Sequence, residues 1–221
     1  MENTLFLLAN PWLKNKSITI ENYIPRNVYF EIIKYLFDDE IIILTGARQS
    51  GKTTIIYKII QALLSKNINS KQIFYFNLDG MFEQEICQNA ESLFSFVRSF
   101  GEFNKYYLFL DEAQRLDLSL LVKQLHDLQT MPFKIFLSGS SSLQLKSKLK
   151  ESLVGRNLEF TVFPLSLKEL QPQVVSWKLI QSLLGKIMIF GSYPKIYLEP
   201  NKEKKILLLN QLYKDYLEKD I

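Results

Sequence analysis

Apolar positions along the chain follow two alternating rhythms. Ile41, Ile42, Ile43 and Leu44 form an unbroken apolar run, the texture of a strand buried on both faces. A glycine-bounded stretch, Gly46 to Gly51, interrupts it. From Lys52 onward Ile55, Ile56, Ile59, Ile60, Leu63 and Leu64 recur at helical spacing and predict an amphipathic helix. The alternation then repeats. Strands are predicted over 73–78, 106–110, 133–137 and 158–162, the last stopped by Pro164. Helices are predicted over 90–100 and through Leu118, Leu121, Val122, Leu125 and Leu128. Strands that alternate with helices need crossover connections. The pattern therefore predicts an α/β fold with a five-stranded, mostly parallel sheet flanked by helices. Ligands on such sheets bind at the carboxyl ends of the strands. The glycine stretch, Asp111-Glu112 and Ser138-Gly139-Ser140 all stand at such ends, so the pattern places them on one rim.

Beyond Pro164 the texture changes to helices joined by short turns, over Leu167–Leu170, 176–190 and 203–219, with Gly191-Ser192-Tyr193-Pro194 as a turn between the last two. The expected organisation is an N-terminal extension over 1–26, an α/β core over 27–165 and a small, lid-like helical subdomain over 166–221. The final helix carries Ile206, Leu209, Leu212, Tyr213, Tyr216 and Leu217 on one stripe and ends without a glycine cap.

Composition removes whole chemistries. A chain of 221 residues with 47% hydrophobic and 13% aromatic residues builds a sizeable core, which excludes global disorder. There is one cysteine, Cys87, and one histidine, His126, so neither an internal disulfide nor a Cys/His zinc site can be assembled. Cys87 has no basic neighbour in sequence and reads as a small helix-face residue; His126 reads as a surface or capping residue. The N-terminus lacks a basic start and a small-residue cleavage site, and no apolar run is long enough for a membrane span. The expected compartment is the cytoplasm. A net charge of +4 permits nucleic-acid contact without arguing for it. Lys146, Lys148 and Lys150 form one basic run and Lys202, Lys204 and Lys205 another; most such runs are solvated faces, with DNA contact as the alternative.

The glycine stretch carries the first chemistry. Gly46-Ala47-Arg48-Gln49-Ser50-Gly51-Lys52-Thr53 matches G-x-x-x-x-G-K-[ST], with a strand before it and a helix after it. Glycines let the backbone curl so that its N–H groups point at phosphate oxygens, and the helix N-terminus adds its dipole. Gly46 to Thr54 are thus the candidate phosphate-binding residues, with Lys52 neutralising the β- and γ-phosphates and Thr53 ligating Mg²⁺. The apolar strand ending in Asp111-Glu112 supplies a second motif: Asp111 holds the metal through water, and Glu112 orients and polarises the attacking water. One strand lies between these two motifs in sequence. With Glu112, that order points to the additional-strand, catalytic-glutamate class of P-loop ATPases. A guanine-specifying N-K-x-D motif is missing, since Asn104-Lys105-Tyr106-Tyr107 lacks the aspartate. After the fourth strand, Ser140 is the first candidate for a γ-phosphate sensor and Ser138 the second. The same stretch lacks the second glycine of a serine-hydrolase elbow. Arg156 precedes the fifth strand. It reads either as a surface residue or as a finger reaching a γ-phosphate in its own chain or in a neighbour.

These residues together resemble the prokaryotic AAA+ ATPases that carry an uncharacterised C-terminal domain. The likeness covers nearly the whole chain. It runs through Asn10-Pro11-Trp12, Tyr23-Ile24-Pro25-Arg26, the loop Thr45 to Thr54, Leu110-Asp111-Glu112-Ala113-Gln114, and Leu137-Ser138-Gly139-Ser140-Ser141. It continues through Ser152-Leu153-Val154-Gly155-Arg156, Phe163-Pro164-Leu165-Ser166 with Glu169, and Gly191-Ser192-Tyr193-Pro194. Ala47 stands where that family usually has Pro, and Ser192 where it has Gly. The resemblance implies ATP and Mg²⁺ as ligands, a helical lid, Arg156 as an arginine finger, and switch-like or oligomeric behaviour, so a homo-oligomer is among the expected partners beside the nucleotide. It also implies a winged-helix-like and a nuclease-like region after the segment resembling Tyr216 to Ile221, where this sequence stops. The leading expectation is Mg²⁺-dependent ATP hydrolysis. The alternatives are a nucleotide-dependent switch module of a DNA-transaction or defence protein, and a truncated inactive remnant.

Overall fold

The computed structural model of the protein describes residues 4–127, 133–140, 155–170 and 176–219. Strands β1 (Ile41–Thr45), β2 (Ile73–Asn77), β3 (Tyr106–Asp111), β4 (Phe133–Gly139) and β5 (Asn157–Thr161) form one sheet in the spatial order β2-β3-β4-β1-β5. Every neighbouring pair is parallel, so the sheet is wholly parallel rather than mostly so. Strand β4 lies between β1 and β3, so one strand separates the two that carry the glycine loop and the paired acids. Register aligns the strand ends: Thr45 sits opposite Gly139 and Thr161, and Asn77 opposite Asp111. The rim expected from sequence is therefore real.

Both faces of the sheet are covered from β2 to β1, which explains the apolar runs there, while the edge strand β5 is only partly buried. Around the sheet lie α1 (Thr4–Ala9), α2 (Asn27–Ile32), α3 (Lys52–Ser65), α4 (Met81–Ile86), α5 (Ala90–Arg98) and α6 (Ser119–Asp127). Alternate strand residues serve opposite faces. Phe74, Phe76, Leu108, Leu110, Ile135 and Leu137 pack in one core with Phe6 of α1, Leu93 and Val97 of α5, and Leu121, Val122 and Leu125 of α6. Ile42, Leu44, Tyr75, Phe109 and Phe136 face the other core, filled by Ile55, Ile56, Ile59, Ile60 and Leu63 of α3. Each of these fully buried side chains contributes about 1.5–3 kcal/mol of transfer free energy. Phe109 and Phe136 stack across β3 and β4 with ring centroids 4.4 Å apart. Helices α2 and α4 escape sequence periodicity because six residues make fewer than two turns.

The N-terminal segment closes the open edge of the sheet. Asn10 Nδ2 donates to Tyr75 O at 2.8 Å, and Tyr75 N donates to Asn10 Oδ1 at 2.7 Å. Trp12 Nε1 donates to Ile73 O at 2.8 Å. Asn10 and Trp12 thus occupy backbone groups of the edge strand β2 as a further strand would, which blunts the edge against foreign pairing.

After β5 come α7 (Leu167–Leu170), α8 (Trp177–Phe190), α9 (Pro194–Leu198) and α10 (Lys202–Lys219). The expected turn holds at Gly191, whose left-handed φ of 70° ends α8. It does not extend to Pro194, which instead starts α9 at the first helical position, where its missing N–H costs nothing. On α10, Leu212 is buried, while Ile206, Tyr213 and Leu217 of the same stripe remain exposed. Among the described residues no helix is long and apolar enough to cross a membrane.

Candidate functional site

The loop after β1 is shaped by close packing. Gly46 leaves the strand at φ 145°, and a Cβ there would lie 2.2 Å from the Val162 carbonyl oxygen. Only glycine lets the loop pass this segment, which Val162 N anchors to Thr45 O at 2.7 Å. Gly51 is left-handed at φ 101° and caps α3, so Lys52 and Thr53 open the helix. The first-turn amides of a helix have no partners within it, and its dipole favours an anion. The chain here thus offers a cradle for phosphate groups.

Lys52 is 5% exposed, and its Nζ donates to Gly46 O at 2.9 Å and Ala47 O at 3.0 Å. Burial pushes its ammonium below the ordinary lysine range, and the charges of Glu112 and Asp111 oppose that shift. Thr53 Oγ1 donates to Asp111 Oδ2 at 2.7 Å. Asp111 is itself only 2% exposed and accepts three further bonds. They come from Tyr75 Oη at 2.9 Å, from Ser138 Oγ, and from Glu112 N at 3.1 Å. Burial first, and the Asp111 charge second, push the Tyr75 hydroxyl far up, so it remains a donor. Four donors from β2, α3, β4 and the start of the next loop thus hold one carboxylate at the strand end. A hydroxyl and a fixed carboxylate side by side form an oxygen donor set that fits Mg²⁺.

Glu112 follows in a left-handed conformation, φ 54° and ψ 41°, which turns the chain off β3 into a single 3₁₀ turn over Ala113–Arg115. Its Oε2 accepts from Gln114 Nε2 at 2.6 Å, and the same nitrogen donates to Ser140 Oγ at 3.2 Å. The two sensor candidates separate here: Ser138 is fully buried and bonded to Asp111, whereas Ser140 is half-buried beside Glu112.

Arg156 is elsewhere. Its carbonyl accepts from Ile41 N at 2.9 Å, so it lies at the start of β1, while the phosphate loop follows the end of that strand. Five residues of strand separate the two by about 17 Å. An arginine side chain does not span that distance, which removes the same-chain option for a finger.

Three residues with no assigned chemistry in the sequence stand at the site. Tyr75 lies in an apolar strand and gives no sequence signal. Gln114 lies inside a recognisable box, yet its partner Ser140 is set by β4. Arg26 is 5% exposed; it donates to Ser50 O at 2.8 Å and to Phe163 O at 2.5 Å, and pairs with Glu169 at 3.1 Å. Beside it a cavity of about 110 Å³ opens between Tyr23, Ile24, Gly51 and Thr54 on one side and Pro194 and Leu198 on the other. The Tyr23 hydroxyl is buried there without a hydrogen-bond partner among the described residues.

In the second basic run, Lys204 pairs with Glu199 at 2.7 Å, and Lys205 donates to Tyr197 O at 3.2 Å. Lys146, Lys148, Lys150, Ser141, Leu128 and the 152–154 part of the arginine box lie outside the described residues, as does the side chain of His126.

The family model for the AAA domain matches residues 38–171. The chain belongs to the AAA domain family. This AAA domain is 27% identical over 194 residues to an uncharacterised protein of Haemophilus influenzae, covering 84% of the chain and 46% of that protein. It is 28% identical over 205 residues to an uncharacterised protein of Methanocaldococcus jannaschii, covering 83% of the chain and 43% of that protein. The chain therefore spans less than half the length of these relatives. Among solved structures it is similar in fold to a Walker-type ATPase of Pyrococcus abyssi, with a TM-score of 0.60 at 15% identity over 93% of the chain and 78% of that protein. The fold is thus that of a P-loop ATPase of the additional-strand, catalytic-glutamate type, and the AAA domain is a nucleotide-binding ATPase core.

Proposed function

We propose that this AAA domain binds ATP with Mg²⁺ and hydrolyses the γ-phosphate. One observation carries the reading. Thr53 and Asp111 are bonded at 2.7 Å beside the buried Lys52, and the next residue, Glu112, presents a second carboxylate on the same rim. Gly46 to Thr54 cradle the triphosphate through the curled backbone and the α3 N-terminus, and the Lys52 ammonium binds the β- and γ-phosphates. Thr53 and Asp111 hold the metal, which supplies charge neutralisation on the phosphates. Glu112 orients the attacking water and takes up its proton at the carboxylate. The Ser140 hydroxyl donates to the γ-phosphate. The cavity beside Gly51 and Thr54 takes the nucleoside, with Ile24, Pro194 and Leu198 supplying apolar faces.

Lys52→Ala abolishes ATP binding in a calorimetric titration, whereas Glu112→Gln binds ATP and loses phosphate release. Equal hydrolysis by wild type and Glu112→Gln sinks the assignment of Glu112. The placement of Arg156 favours a second reading of turnover. Arg156 is out of reach of the loop in its own chain, so in this reading a lone copy acts as a nucleotide-dependent switch until a neighbouring copy supplies Arg156. Turnover per chain that rises with protein concentration supports that reading.

A further inference from the structure

We infer that Gln114 is a positioning residue that sets the hydrogen-bond polarity of both Glu112 and Ser140. The inference rests on the proposed hydrolysis and goes beyond it by adding a residue that acts through Glu112 and Ser140. The left-handed backbone at Glu112 and the 3₁₀ turn that follows, closed by Arg115 N to Glu112 O at 3.0 Å, fold residue 114 back under residue 112. Arg115 is itself tethered to Asp79 at 2.6 Å, which fixes the far end of that turn. Gln114 is 9% exposed, and its amide nitrogen has two protons to give. One goes to Glu112 Oε2 and the other to Ser140 Oγ.

Each bond has a directional consequence. A hydroxyl oxygen that accepts from Gln114 keeps its own proton for another acceptor, so the Ser140 O–H is turned to donate, as a sensor of a phosphate oxygen must. A carboxylate held through Oε2 leaves Oε1 as the acceptor for water. One amide therefore prepares the base just after β3 and the sensor just after β4 together. It also ties them, so displacement of one strand end is felt by the other.

The test uses the full chain and four variants: Gln114→Leu, Gln114→Glu, Ser140→Ala and Glu112→Gln. In the nucleotide-free protein, the side-chain amide resonances of Gln114 shift on both Ser140→Ala and Glu112→Gln if the bridge exists; resonances that ignore both substitutions overturn it. With Mg²⁺-ATP, Gln114→Leu lowers kcat about tenfold or more while ATP affinity stays within about twofold, as loss of one charge-assisted bond requires. Adding Ser140→Ala to Gln114→Leu then costs less than the product of the two single effects, because they act through one bridge. The near-isosteric Gln114→Glu, which puts a second carboxylate against Glu112, is equally impaired while its thermal midpoint shows that it folds. Multiplicative losses, or parallel loss of affinity and kcat, overturn the inference in favour of a structural role. Unchanged kcat in Gln114→Leu overturns it alone, with the proposed function intact. Absence of turnover in the wild type under every condition overturns the proposed function, and this inference falls with it.

Discussion

Arg26 and Glu169 stand 143 residues apart in sequence and form a buried ion pair against the phosphate loop. A charge removed from water is tolerated only when its hydrogen-bonding capacity is met. The Arg26 guanidinium meets that condition with two carbonyls, one of them Ser50 O in the loop itself. Glu169 accepts from Arg26, from Asn27 N at 2.8 Å and from Ser166 N at 2.8 Å. Burial raises its carboxyl, but these bonds and the Arg26 charge outweigh burial and hold it below the usual glutamate range. Arg26→Ala leaves the buried Glu169 without its counter-charge and is expected to cost about 3–5 kcal/mol of stability, read by urea unfolding. Arg26→Lys keeps the charge but cannot reproduce the planar fork, so it recovers only part of the loss. A shift under 1 kcal/mol in Arg26→Ala refutes the pair as a structural clamp. In sequence both residues are visible only as members of short boxes; their meeting depends on the path of the chain after β5. Cys87, by contrast, behaves as its surroundings in sequence suggest. It is fully buried, and burial pushes its thiol far up, so no reactive thiolate forms.

Strand β4 shows what an element hides. Its apolar run predicts a strand over 133–137, yet Lys134 lies inside it, 1% exposed. The ammonium is tolerated because it sits at the start of the strand, where Nζ donates to Asp38 O at 2.7 Å and Glu40 O at 2.6 Å and locks the loop before β1. Burial lowers its pKa to about 8, with the acidic charges of that loop opposing the shift. The folded chain then binds fewer protons than the unfolded chain between about pH 8 and the ordinary lysine value of about 10.4. Stability from this group therefore rises with pH through that window, and the burial penalty is fully present below pH 8. Urea unfolding of wild type and Lys134→Met side by side should show the difference moving in favour of the wild type from pH 8 to pH 10; a constant difference refutes the lowered pKa. At the carboxyl end of the same strand, Ser138 and Ser140 divide their work by depth, since the first is spent on Asp111 and the second faces Gln114.

At the scale of the molecule, the sheet order decides which groups share a rim. Arg156 precedes β5 and lies at the opposite end of the strands from the phosphate loop, so its proposed role as a finger requires a second copy. A head-to-tail contact between copies would supply that geometry. Mixing Arg156→Ala with Lys52→Ala, each inactive alone, should restore turnover, because the first keeps an intact phosphate site and the second supplies the arginine. Persistent inactivity in the mixture, with both variants folded, refutes action across copies. The sequence by itself determined the α/β class, the phosphate loop and the two acids, since each is written in contiguous residues whose chemistry is local. It indicated the central strands for the same reason: a strand covered on both faces is largely apolar. It did not carry the donors around Asp111, the Gln114 bridge, the Arg26 clamp or the distance of Arg156. These join residues brought together by strand order and by the packing of the N-terminal and helical segments on the core. Only the tertiary structure decides them, because hydrogen bonds act over about 3 Å and nothing in a run of residues sets which distant run will lie alongside it.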